Sequence, residues 1–196
     1  MNVSLPVESL NEKQFPTVAS VQTAQLPLVV KLKTFVWVLF RGTLFAWSPA
    51  FFRGWRRYLL RLFGAKLADS ASIHPSSKID CPWNLQMGAC ASIGEDAWVC
   101  ALDKVVLEDY VCLSQRTVLL TGTHDFNDPR FNLVRRPIKI GYGSWLAVGA
   151  TVLPGVKIGP LCVVGTGSIV TKDLPAQMIC AGNPCQPIKK RELRSS

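Results

Sequence analysis

The stretch IKIGYGSWLAVGATVLPGVKIGPLCVVGTGSIVTKDLP, residues 138–175, returns an apolar side chain every six positions: Ile140, Leu146, Val152, Ile158, Val164 and Val170. Four residues after each of the first five stands a mostly small one, at Ser144, Ala150, Val156, Cys162 and Ser168, and Gly or Ala often follows the apolar one, as at Gly141, Ala147, Gly159 and Gly165. An α-helix repeats every 3.6 residues and a half-buried strand every two, so neither explains this spacing. A triangular coil does. Each hexad is then one short strand plus a corner, and three hexads close a turn of about 18 residues around a narrow prism. The branched residue points inward, the small one fits a corner, and each turn pairs its backbone with the turns above and below.

Upstream the same count holds for Ile73, Ile79 and Leu85, then Met87, Ile93, Val99 and Val105, then Leu107, Leu113 and Leu119. Two slips, between Leu85 and Met87 and between Val105 and Leu107, add two residues each and are expected to bulge a corner. The larger break, GTHDFNDPRFNLVRRP at 122–137, reads as a loop projecting from a rigid coil, where functional residues tend to sit. It carries His124. The other histidine, His74, precedes Pro75 at the first turn and reads as a surface or corner residue.

The chain has 196 residues, 48% hydrophobic and 18% charged, enough for one core plus an appendage. Seven cysteines form no CxxC pair and no metal-ligand spacing, which fits reduced, space-filling thiols in a cytoplasmic chain. The net charge of +9 is local. Between Glu12 and Asp69 there is no acidic residue and there are nine basic ones. Residues 1–25 read as a flexible tail without a signal-peptide pattern. Residues 26–67 read as a basic helical segment, broken near Gly42 and Ser48-Pro49. Its uncharged run from Gly42 to Phe52 is too short to span a bilayer. Arginines interleaved with Trp37, Trp47, Phe51, Phe52 and Trp55 instead suit a helix lying on an anionic membrane, with packing on the coil or on another subunit as the other reading. No nucleic-acid recognition module is present.

TGTHD (121–125), residues 137–175 and AGNP (181–184) resemble the hexapeptide-repeat acetyltransferases that modify sugars, such as the galactoside, maltose and nodulation acetyltransferases. GWRRYLLRLFGAK (54–66) together with TGTHDFNDPRF resembles the colanic acid biosynthesis acetyltransferases. The resemblance implies a left-handed parallel β-helix over 68–190, a homotrimer, and acetyl-CoA as co-substrate without a metal. Acyl transfer to a hydroxyl needs a base for the hydroxyl proton and donors for the oxyanion. His124 matches the family's catalytic histidine, with Asp125 or a backbone carbonyl to fix its tautomer. Trp145, Val148, Thr166, Thr171, Lys172 and Lys189 match positions that contact CoA, whereas Gln186 stands where some relatives carry a basic residue.

The acceptor side departs further. WVCALDK (98–104) offers Cys100 and Ala101 where relatives carry Asp or Asn, which leaves Asp103. Phe126, Asp128 and Arg130 on the loop are the other candidate sugar contacts. The expected activity is acetylation of a sugar hydroxyl, on an exopolysaccharide or lipid-linked precursor, by a chain peripheral to the inner face of the cytoplasmic membrane. Serine or antibiotic acetylation and a non-catalytic scaffold stay open. A three-histidine zinc anhydrase on the same scaffold lacks its third histidine.

Overall fold

A computed structural model describes residues 28–193, with Pro129 excepted. The tail expected at 1–25 lies outside the described residues. From Lys66 the chain winds into a left-handed parallel β-helix with three faces. Sheet A contains Lys66–Leu67, Leu85–Met87, Val105–Leu107, Ile138–Ile140 and Lys157–Ile158. Sheet B contains Ser72–Ile73, Ser92–Ile93, Cys112–Leu113, Trp145–Leu146 and Val163–Val164, then Met178–Gly182 and the antiparallel Cys185–Lys190. Sheet C contains Lys78–Ile79, Trp98–Cys100, Val118–Leu120, Thr151–Val152 and Ile169–Val170.

The hexad residues stack as ladders. Ile73, Ile93, Leu113, Leu146 and Val164 pair in register along sheet B, and Ile79, Val99, Leu119, Val152 and Val170 along sheet C. All are buried. Burial is worth roughly 1.5–3 kcal/mol for each fully enclosed aliphatic side chain, so the ladder is the main source of stability. The small residues Ser144, Ala150, Val156, Cys162 and Ser168 are buried too. The corners are tight. A Cβ on Gly141 would lie 2.6 Å from the Pro160 nitrogen, and one on Gly159 would lie 2.5 Å from the Ala176 nitrogen. Those glycines stack because the backbone of the next turn leaves no room for a side chain.

The register slips fall elsewhere than expected. Leu85 and Met87 both point inward on one strand, as do Val105 and Leu107, so the strands themselves are regular. The extra residues lie before them, in the corner joining sheet C to sheet A. That corner is long in three successive turns, at 81–84, 101–104 and 121–137. The pieces bond to each other: Asn84 Nδ2 donates to Ala101 O at 2.8 Å, Thr121 Oγ1 to Cys100 O at 2.7 Å, and the Asp103 amide to Thr121 Oγ1 at 2.9 Å.

The N-terminal segment forms α1 (Leu28–Phe40), continued by a π-type turn over Arg41–Phe45, and α2 (Arg53–Leu62). These helices close the open end of the first turn. Trp37, Phe45, Leu59, Leu60 and Phe63 are buried with the coil core, and Trp37 Nε1 donates to Ile79 O at 2.7 Å. Arg56, 1% exposed, joins cap to coil: Nε donates to Ile73 O at 2.7 Å, Nη1 to Pro49 O at 2.7 Å and to Ser48 Oγ at 3.0 Å, and Nη2 to Ala50 O at 2.6 Å. The opposite face stays uncovered, with Leu28, Leu32, Phe35, Trp47, Phe51 and Phe52 exposed. No described helix is long and apolar enough to cross a membrane.

Candidate active site

The 121–137 insertion is a two-stranded arm. Gly122–His124 pairs antiparallel with Leu133–Arg135, and His124 stands opposite Leu133. Asp125 accepts the Asn127 amide at 3.0 Å and donates its own amide to Asn132 O, which folds the tip back. The carbonyl of Phe131 comes within 2.8 Å of His124 Nδ1. A carbonyl only accepts, so Nδ1 of the neutral ring carries the hydrogen and Nε2 keeps its lone pair. Phe131 also stacks on the imidazole, with centroids 4.4 Å apart and planes 5° from parallel. Its φ of 49° is what turns both its carbonyl and its ring toward His124. Position 131 carries no sequence signal for this role, because the contact depends on how the arm folds.

The loop candidates divide. Asp128 accepts from the Arg130 amide at 2.9 Å, from Arg130 Nε at 3.2 Å and from Asn132 Nδ2 at 2.7 Å. The Arg130 bonds, with Asn132 beside them, hold the Asp128 carboxyl below the usual carboxylate range. Asp128 and Arg130 are thus occupied with each other. Phe126 is exposed, and Asp103 accepts the Lys104 amide at 2.6 Å in the corner one turn below the arm. Nearby, burial, and after it the charge of Asp80, pushes the Cys81 thiol up to about 11; the same two causes raise Cys100. Both are thiols at neutral pH and not nucleophiles.

The residues matched to CoA contacts fall into three places. Trp145 stands outward on sheet B in register with Val163, which pairs with Ile179, which pairs with Lys189. That row runs from an aromatic ring through an apolar middle to a cation over three strand spacings, about 14 Å. Val148 and Thr166 lie on adjacent turns of the corner where sheet B meets sheet C, the Gly167 amide donating to Val148 O at 2.9 Å. Thr171 and Lys172 follow Ile169–Val170 and sit at the corner of sheets C and A, with Asp103 and His124. In a triangular prism that corner is opposite sheet B. One chain therefore does not bring His124 to Trp145. Sequence reasoning also missed Ser114, whose Oγ accepts the Trp145 indole N–H at 2.8 Å and fixes the ring. Among the described residues no three His, Cys, Asp or Glu side chains converge as a metal site.

No family model matches the sequence. The chain is 42% identical over 160 residues to the colanic acid biosynthesis acetyltransferase WcaF of Escherichia coli K12, covering 82% of this chain and 88% of that one. It is 30% identical over 138 residues to the acetyltransferase SACOL2570 of Staphylococcus aureus COL, covering 69% of each. Among solved structures, the maltose O-acetyltransferase of Clostridium difficile 630 superposes with a TM-score of 0.76 at 26% identity over 85% of this chain and 90% of that one. A galactoside acetyltransferase in complex with coenzyme A gives 0.77 at 23% identity, over 86% and 85%, a likeness of fold. With the six-residue ladder, the arm bearing His124 and these relatives together, the chain belongs to the hexapeptide-repeat acetyltransferases.

Proposed function

We propose that this chain moves the acetyl group of acetyl-CoA to a hydroxyl of a saccharide, and that it works as a homotrimer. The observation that carries the chemistry is the lock on His124: Nδ1–H is bonded to Phe131 O, so Nε2 is the atom free to act as base. His124 Nε2 takes the proton from the acceptor hydroxyl as its oxygen attacks the thioester carbonyl. The tetrahedral oxyanion collapses, the C–S bond breaks, and the imidazolium returns the proton to the departing thiolate. The products are the acetyl ester and free CoA.

The assembly follows from the opposition of the two residue groups. A ring of three subunits, each setting its C–A corner against sheet B of the next, would bring His124, Thr171 and Lys172 of one chain to Trp145, Val148, Thr166 and Lys189 of its neighbour. The row from Trp145 to Lys189 suits an extended arm with a charged end: ring and aliphatic groups for pantetheine, lysine for phosphate. The colanic acid relative supports a polysaccharide precursor as acceptor. Incubating the protein with acetyl-CoA and a panel of sugars, lipid-linked sugars, serine and antibiotics, and following thiol release, tests this. Release with saccharides supports the proposal. Release only with serine or an antibiotic, or none at all, overturns it.

The helical cap adds a membrane reading. Its exposed Trp47, Phe51 and Phe52 share the cap with the exposed cations Lys31 and Arg53, in a stretch without an acid, a combination matched to an anionic lipid surface. Replacing those three exposed rings by alanine leaves the buried Trp37 and Phe45 in place. The triple variant should lose binding to vesicles containing phosphatidylglycerol while keeping its thermal midpoint. Undiminished vesicle binding would refute the lipid contact.

A further inference from the structure

Sheet B carries a cavity that the acetyl-CoA row does not use. It has a volume of about 440 Å³ and lies over the first three turns, between Arg53 of the helical cap and Glu95, Ser114 and Gln115. Its floor is low because the outward residues there are small: Ser72, Ser92 and Cys112 stack in register, and the next residue in that row is Trp145. A second cavity, of about 400 Å³, shares Glu95 and Gln115 and ends at Val148. Ser114 lines the first cavity and holds the Trp145 indole. One furrow thus runs up sheet B from the cap to Trp145 and Val148.

We infer that this furrow is the acceptor site and that it takes a glycosyl phosphate, with the phosphate at Arg53 and His74 and the sugar hydroxyls at Glu95 and Gln115. The inference rests on the acetyl-transfer reading, in which CoA fills the row above Trp145 and leaves the furrow as the approach to the thioester along this face. The polarity of the furrow supplies the ligand class. At the cap end, Arg53 makes no ion pair among the described residues, and His74 Nδ1 accepts the Ser76 amide at 3.3 Å, which leaves Nε2–H to donate outward. Two donors, one always cationic, suit a phosphate. At the Trp145 end, the carboxylates of Glu95 and Asp96 offset the Arg116 cation, and with the Gln115 amide they suit hydroxyls that both donate and accept. Asp128 and Arg130 lie on the arm, away from this furrow, and are bonded to each other.

Binding measured by calorimetry on the His124→Ala protein separates recognition from turnover. Galactose 1-phosphate and glucose 1-phosphate should bind at least about tenfold more tightly than the free sugars, the usual worth of a charge-assisted contact. Arg53→Ala and His74→Ala should erase that preference, Glu95→Ala should weaken sugar and sugar phosphate alike, and all three should bind acetyl-CoA unchanged. The same sugar phosphates carrying a prenyl chain, in detergent micelles, separate the sources: a gain in affinity assigns a lipid-borne acceptor, and no gain a water-soluble one. Failure of the unaltered protein to bind acetyl-CoA would refute the acetyl-transfer reading. Normal acetyl-CoA binding with no preference for sugar phosphates, or a preference that survives Arg53→Ala, would refute the furrow alone.

Discussion

At His124 the proposed chemistry rests on which nitrogen is free. The Phe131 carbonyl accepts the Nδ1 hydrogen and the Phe131 ring lies flat on the imidazole, so a flip of the ring or a change of tautomer would break the bond to the carbonyl. His124→Ala should lower turnover by roughly 10²–10⁴-fold, the usual worth of a general base, with the oligomer intact by light scattering. Turnover within a few fold of the unaltered enzyme would remove His124 from the mechanism. The histidine in the one long break of the repeat was legible from sequence as the candidate base, because a loop on a rigid coil stands out against the period. The Phe131 carbonyl and the Ser114 hydroxyl were not legible. Each meets its partner through a pairing across the arm or between turns, and neither residue type announces such a role.

Among the elements, the helical cap matters more than its charge suggests. Sequence composition separated it from the coil but left open whether it faces lipid or protein. Its inner face closes the coil through Trp37, Leu59, Leu60 and Phe63, while the outer face keeps its tryptophan and phenylalanines exposed. Arg56 ties the two units through bonds to Ile73, Ser48, Pro49 and Ala50. Removing its guanidinium strands buried carbonyls, each costing about 1–3 kcal/mol when unpaired. Arg56→Ala should therefore destabilise the chain by about 2–4 kcal/mol in urea unfolding, whereas Arg57→Ala, which loses the single bond from Nη1 to Ala71 O, should cost less. Equal small effects would show that the cap is only loosely attached. The three lengthened corners are the other lesson at this scale. The slips visible at Leu85–Met87 and Val105–Leu107 were real, but only the pairing of whole turns reveals that the extra residues share a corner with the arm that carries His124.

For the whole molecule, the prism sets the logic of assembly. The six-residue count made the ladder readable, since every inward position obeys it. The count does not say which outward residues share a face until the phase of the corners is known. Once it is, His124 with Thr171 and Lys172 stands at one corner, and Trp145 with Lys189 stands on the face opposite. A site needing both must be made by two chains. Subunit mixing tests this most directly, using His124→Ala and Trp145→Glu proteins, each inactive alone. Unfolded and refolded together in equal amounts, they should regain about a quarter of unaltered thiol release, because each mixed trimer holds one interface with both native residues. Mixed trimers that stay inactive would contradict a site shared between subunits.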